Sequence, residues 1–405
     1  MFEKIKNILN SQFFALSLYS RTIAGTIVLF IIARYLTVYD YGLFSSYKNI
    51  AAFCFMFANL GFNEYILVSS KANHNAARLK ISLFLINAIL IAILICIGAT
   101  FCNLESTLLF WLVAIRAFFD GTFFALILPY FQATKKFNVI ATVNIVYACC
   151  TVVIAIISYL FKLSLIKFLI LSNILGFINF VQCSYYAKIN YFLFFNNISR
   201  YLSLLDKTIF SYMGVAIAYF LYSQVPSLYV STYLPKEQAA LYFAAFTIAT
   251  IISLVIGAQV QKMTPEMIKA DKKEIKNIIK TNLIFIISVT SVLLLIMIII
   301  GKGLLQLLYG KIYYANAYHI LLILMLGNIG IAEASVYGAY ITASGNQKMK
   351  IPKQLEATVV TVISLLVLHR YGIYGAALSY FMAACYIAIG YTTRTHYLLK
   401  HNCNK

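Results

Sequence analysis

Twelve apolar runs of roughly twenty residues tile this chain almost end to end, from Phe13 to Thr395. A run of that length with few charges crosses the hydrocarbon core of a bilayer, about 30 Å thick, as an α-helix. The runs cover residues 12–34, 42–66, 79–101, 107–131, 138–161, 165–187, 209–232, 239–261, 278–300, 316–341, 353–369 and 373–395. This pattern predicts an all-α polytopic membrane protein with twelve transmembrane helices. A content of 62% hydrophobic and 11% charged residues, with a mean hydropathy of +0.86, excludes a soluble domain.

The net charge of +20 would point to nucleic acid in a soluble chain. Here the preference of cytoplasmic loops for Lys and Arg explains it, and no nucleic-acid partner is expected. About 22 basic residues fall on the side of the N-terminus, among them Lys71, Lys135, Lys188, Lys269, Lys272, Lys273 and Lys276. About seven fall on the other side, among them Arg34, Lys162, Lys236, Lys302 and Arg370. The bias places both termini in the cytoplasm, and an even number of spans agrees. The longest connections, about 188–208 and 262–277, lie on the cytoplasmic side.

Two stretches align without a gap at an offset of about 198 residues: Arg34 to Ile50 and Thr232 to Ile248. Tyr35 matches Tyr233, Leu36 matches Leu234, Leu43 matches Leu241 and Ile50 matches Ile248. A weaker echo pairs Tyr130 and Ala133 with Tyr340 and Ala343. The repeat predicts two six-helix halves in parallel orientation, residues 1–190 and 209–405, joined by a cytoplasmic linker at 191–208. Transporters are often built from such repeats, with the substrate between them.

Charges submerged in the apolar runs are costly, about 2.5–3.5 kcal/mol each on insertion scales, so they mark function. Arg21 lies in the inner third of span 1, and Lys48 about two turns into span 2 from the outer side. Arg116 sits near the middle of span 4, with Asp120 one turn further in. Glu333 is near the middle of span 10. Each also has a structural reading. Arg116 and Asp120, at i and i+4, neutralise each other; Lys48 reaches the outer headgroups along its stem; Arg21 holds a lipid phosphate at the inner leaflet. Together the basic residues outnumber Asp120 in the first half. A cationic cavity of Arg21, Lys48 and Arg116, with Asp120 as charge partner, attracts an anionic substrate, and Arg suits phosphate. Glu333, with no basic partner on its own helix, is the candidate for coupling to H⁺ or Na⁺.

Pro129 and Pro226 lie inside spans 4 and 7, where a proline kinks the axis or serves as a hinge. The cysteines have no C-x-x-C spacing and the histidines are scattered, so neither a metal site nor a cofactor is expected. Nucleophile elbows, H-E-x-x-H and P-loops are missing, so the chain reads as neither an enzyme nor an ATP-driven pump.

Several short motifs carry a family resemblance. They are Ala33-Arg34-Tyr35-Leu36 followed by Asp40-Tyr41-Gly42-Leu43-Phe44, then Asn59-Leu60-Gly61-Phe62. Tyr309-Gly310 and Tyr371-Gly372-Ile373-Tyr374-Gly375-Ala376-Ala377 follow. The chain resembles the Wzx-type polysaccharide flippases of the MATE-like MOP superfamily. The resemblance implies two six-helix bundles forming a V. It implies flipping of an undecaprenyl-diphosphate-linked oligosaccharide, such as an O-antigen repeat unit of lipopolysaccharide, across the bacterial inner membrane. A polysaccharide polymerase and chain-length machinery are the partners it implies. Many relatives carry Gln-x-Asp in span 7; Gln224-Val225-Pro226 departs from it and lacks that cation ligand. The competing readings are a MATE-type small-molecule exporter, which would favour cavity carboxylates, and a membrane-embedded glycan polymerase, which would need larger outside loops.

Overall fold

The computed structural model describes residues 20–59, 105–122, 127–133, 137–187, 208–310 and 312–401, and these are almost entirely helical. Residues 20–35 form α1. Then come α2 (Val38–Asn59), α3 (Thr107–Thr122), α4 (Leu128–Ala133), α5 (Phe137–Leu160) and α6 (Leu165–Ala187). The second half contains α7 (Thr208–Tyr233), α8 (Lys236–Ala249), α9 (Ile251–Lys269), α10 (Lys272–Tyr309), α11 (Tyr318–Ala343), α12 (Lys350–Leu368) and α13 (Ile373–His401). Two compact units result: Met1–Thr37 with Tyr47–Ile217, and Val38–Ser46 with Ala218–Lys405.

Among the described residues, seven helices are long and apolar enough to cross a bilayer, from Ala141–Leu160 to Ile373–Lys400. The predicted span 79–101 lies outside the described residues, as do parts of 12–34, 42–66 and 107–131. The predicted span 239–261 is two helices that meet at Thr250.

The 198-residue repeat is visible in the backbone. Helix α1 ends before a bend at Leu36, and α7 before a bend at Leu234; the next helices start at Val38 and Lys236. Residues 41–47 and 239–245 are all buried, so both helix starts are enclosed on every side. Repeat-equivalent positions also touch. A Cβ on Gly42 would fall 1.8 Å from the Lys236 carbonyl oxygen and 3.2 Å from the Ala240 nitrogen. Backbone atoms cannot swing aside, so glycine is what permits this approach. The neighbouring Tyr41 ring packs edge-on against Tyr309 and Tyr314 at 5.8 and 6.0 Å. Gly42→Ala is therefore expected to cost about 1–3 kcal/mol through overpacking. A thermal-unfolding midpoint in detergent measures it, and an unshifted midpoint would refute the close approach.

The connection expected at 262–277 is nearly all helix. Only Ala270 and Asp271 separate α9 from α10, because Asp271 caps the new helix. Its carboxylate accepts from the Glu274 backbone at 2.8 Å, and Glu274 accepts in turn from the Asp271 N–H at 3.1 Å. This reciprocal pair satisfies two otherwise orphaned donors. At 38 residues, α10 is about 57 Å long. Its charge-free stretch between Lys280 and Lys302 is about 31 Å, which matches the hydrocarbon core. Ile279, Asn282, Ile286 and Thr290 form its buried stripe, while Ile284, Val292, Leu295 and Ile299 are exposed, as lipid-facing residues are.

In the second unit α13 packs on α11 through small residues, which lets the backbones approach closely. Gly327 lies under the Tyr380 ring and Gly330 against Ala384. The Asn328 amide fixes the register: it donates to the Ala249 carbonyl at 2.8 Å and accepts from the Tyr380 hydroxyl at 2.7 Å.

Candidate functional site

The polar centre of the first unit is built on α3. Arg116 and Asp120 are one turn apart, and Arg116 Nε donates to Asp120 Oδ2 at 3.0 Å. The other carboxylate oxygen, Oδ1, accepts from the Tyr147 hydroxyl on α5 at 3.0 Å. Arg116 Nη1 also donates to the Ser172 carbonyl on α6. Gly176 makes room for this: a Cβ there would meet Arg116 Nη1 at 3.3 Å and the Phe119 ring at 3.1 Å. A second bond runs between the same helices in the opposite direction, from Asn173 Nδ2 to the Leu112 carbonyl at 2.9 Å. In this conformation Arg116 is a strut tying α3 to α6.

Tyr147 gathers the remaining charge. The Arg21 guanidinium lies 4.1 Å from its ring centroid and that of Arg116 lies 5.2 Å away. A cation over an aromatic face gains about 2 kcal/mol when desolvated, and Arg21 is only 7% exposed. Phe118 and Phe119 pack on Phe180 beside the pair, at 6.1 and 5.9 Å, and keep the surroundings apolar. Asn144, one turn before Tyr147, is fully buried, and among the described residues neither of its amide atoms has a hydrogen-bond partner.

Lys48 lies within electrostatic range of Asp120 and Arg116. Its side chain is exposed. Tyr41, Phe44, Ser45, Ala51 and Phe55 share its helix face at spacings of three, four and seven, and all are buried. Ala52, one turn on, is exposed like Lys48. Lys48 and Ala52 are thus exposed positions on a helix face that is otherwise buried.

Arg21, Arg116 and Asp120 thus meet at Tyr147, with Lys48 nearby. Among the described residues, three cations against one carboxylate leave the cluster positive. Glu333 lies elsewhere, on α11 in the second unit, where its Oε1 accepts from Thr392 Oγ1 at 3.3 Å. Pro129 is buried near the start of α4. Pro226 is buried within an α7 that continues through it. The sequence reading missed Tyr147, Asn144 and Asn173. The signal was present in Asn144 and Tyr147, two polar groups at i and i+3 in an apolar run, but only formal charges had been followed.

A helical membrane bundle with a positively charged interior cluster defines a class, the multi-pass membrane transport proteins. Within that class, the chain belongs to the family described as polysaccharide biosynthesis protein, which matches residues 9–270. No curated protein matches the sequence significantly. Among solved structures, the chain is similar to the lipid II flippase MurJ in an inward closed conformation. The two share 16% identity with a TM-score of 0.73 over 95% of this chain and 87% of that one. An inward-facing multidrug resistance MATE transporter of the MOP superfamily aligns at 12% identity and a TM-score of 0.64, over 95% and 96% of the two chains. The Vibrio cholerae MATE transporter VcmN aligns at 13% identity and a TM-score of 0.61, over 97% and 98%. These likenesses establish the fold.

Proposed function

We propose that the protein is a flippase for a lipid-linked oligosaccharide, moving an undecaprenyl-diphosphate-linked repeat unit such as an O-antigen unit across the bacterial inner membrane by alternating access. The observation that carries this reading is the surplus of cations, Arg21, Arg116 and Lys48 against Asp120 among the described residues, with Lys48 exposed on an otherwise buried helix face. A diphosphate is the constant anionic part of such a cargo, whatever sugar it bears, and a fixed cationic lining below the headgroups suits it. The polysaccharide biosynthesis family and the MurJ-like fold support the same reading. A multidrug exporter of cations would gain nothing from this charge. Both termini lie in the cytoplasm on this reading, and Pro226 is the hinge candidate.

Glu333, held by Thr392, is the proposed coupling group for H⁺ or Na⁺. The test is a proteoliposome assay with a fluorescent short-chain glycosyl diphosphate lipid, scored by its accessibility to a membrane-impermeant quencher. Protein-dependent flipping is expected, and its absence under every gradient would refute the function. Glu333→Gln should leave flipping at the rate seen without a gradient. Undiminished acceleration by a pH or Na⁺ gradient would reject the coupling role.

A further inference from the structure

The second unit contains an opening of a different chemistry. Tyr219 on α7 is 47% exposed. Counting along the helix sets this exposure on a face that is otherwise buried. Ser223, Pro226 and Val230 follow Tyr219 at spacings of four, seven and eleven, so they share its face, and all three are buried. The face that turns into the protein one turn later is open at Tyr219.

Three more tyrosines surround this point. The Tyr222 ring stands edge-on to Tyr219 at 5.5 Å. Tyr219, Tyr380 and Tyr391 all lie within electrostatic range of Tyr222. The Gln354 side chain on α12 lies beside Tyr391. Gln354 is 2% exposed, yet among the described residues its Oε1 has no hydrogen-bond partner. A buried amide oxygen left unpaired costs about 1–3 kcal/mol, so it calls for a donor the protein does not supply. The Lys350 ammonium stands 6.0 Å from the Tyr391 ring and donates to Thr342 Oγ1 at 2.6 Å. Phenols and one amide, with the charge turned to another partner, suit a neutral polyhydroxylated ligand. Such a ligand offers C–H faces to an aromatic ring and hydroxyls to an acceptor.

We propose that Tyr219, Tyr222, Tyr391 and Gln354 form a saccharide subsite in the second unit that takes a pyranose ring of the cargo. The subsite rests on the flippase reading and adds to it a division of labour. The aromatic surface recognises the sugar of the cargo, whatever holds its diphosphate. Stacking on a C–H face is tolerant of sugar identity, so a single pyranose is a sufficient probe.

The experiment uses the full chain in nanodiscs and two lipids: undecaprenyl diphosphate, and the same lipid carrying one N-acetylglucosamine. Wild type is expected to bind the glycosylated lipid more tightly. Tyr219→Ala should weaken that lipid by about fivefold to tenfold, as loss of one aromatic contact does, and leave the sugar-free lipid unchanged. Tyr219→Phe, which keeps the ring, should retain most of the preference. Lys48→Ala should weaken both lipids alike. If wild type binds both lipids equally, or if Tyr219→Ala weakens both or neither, the subsite is overturned while the flippase reading stands. If wild type binds neither lipid, the flippase reading fails and the subsite falls with it.

Discussion

Asp120→Ala is expected to be the most destabilising single change in the first unit. The carboxylate uses both oxygens, one on Arg116 and one on Tyr147, and it is the counter-charge to two guanidiniums grouped on that ring. Arginine stays protonated in proteins, so it cannot escape by losing its charge. Breaking a fully buried pair by removing one partner costs about 3–5 kcal/mol. Here the Arg116 and Asp120 side chains keep 20% and 40% exposure, so a smaller loss of about 2–3 kcal/mol is expected. Adding Arg116→Met should restore much of the lost stability, because the stranded charge goes with it. Unfolding midpoints of the two single variants and the double variant close a cycle, with an expected coupling of about 1–2 kcal/mol. Additive effects would mean that the pair is decorative. Asp120→Asn separates charge from shape: it can still accept from Tyr147, and should fall between wild type and alanine.

The sequence made the membrane class, the breaks at Leu36 and Leu234 and the Arg116–Asp120 pair legible for physical reasons. A bilayer imposes one length on every span, and a helix imposes one spacing on a pair of side chains, so both can be counted along the chain. The offset between Leu36 and Leu234 was readable because each marks the same bend. The tie between α9 and α10 was not read, since Lys269, Lys272 and Lys273 look like a solvated connection until Asp271 and Glu274 are recognised as reciprocal caps. Neither was the break at Thr250, which has no proline or glycine to announce it. Tyr147 escaped because its role is long-range. Nothing near residue 147 records that Arg21 and Asp120, distant in sequence, converge on it. Lys48 is the intermediate case. Its charge within an apolar run was legible, while the direction of its side chain required knowing that Tyr41, Phe44, Ala51 and Phe55 are all buried around it.

That direction sets the second large effect, the loss of flipping in Lys48→Ala. Arg116 is spent on Asp120 and on the Ser172 carbonyl, and Arg21 lies against Tyr147. Lys48 is the exposed member of the cluster, and so the first cation that an incoming diphosphate meets. At an effective dielectric of about 20, a unit charge about 6 Å away contributes roughly 2–3 kcal/mol. That corresponds to about 30- to 150-fold in affinity. Lys48→Ala should therefore weaken binding of undecaprenyl diphosphate by about that factor and abolish flipping at low lipid concentration. The unfolding midpoint should hardly move, because the loss also relieves repulsion with Arg116. Lys48→Arg should keep most of the affinity. Arg116→Ala should also lose flipping, but with a lowered midpoint, since it removes the strut between α3 and α6. The two variants thus separate a group that binds from a group that positions. Wild-type flipping in Lys48→Ala, or a midpoint that falls as far as in Arg116→Ala, would remove Lys48 from the path of the phosphate.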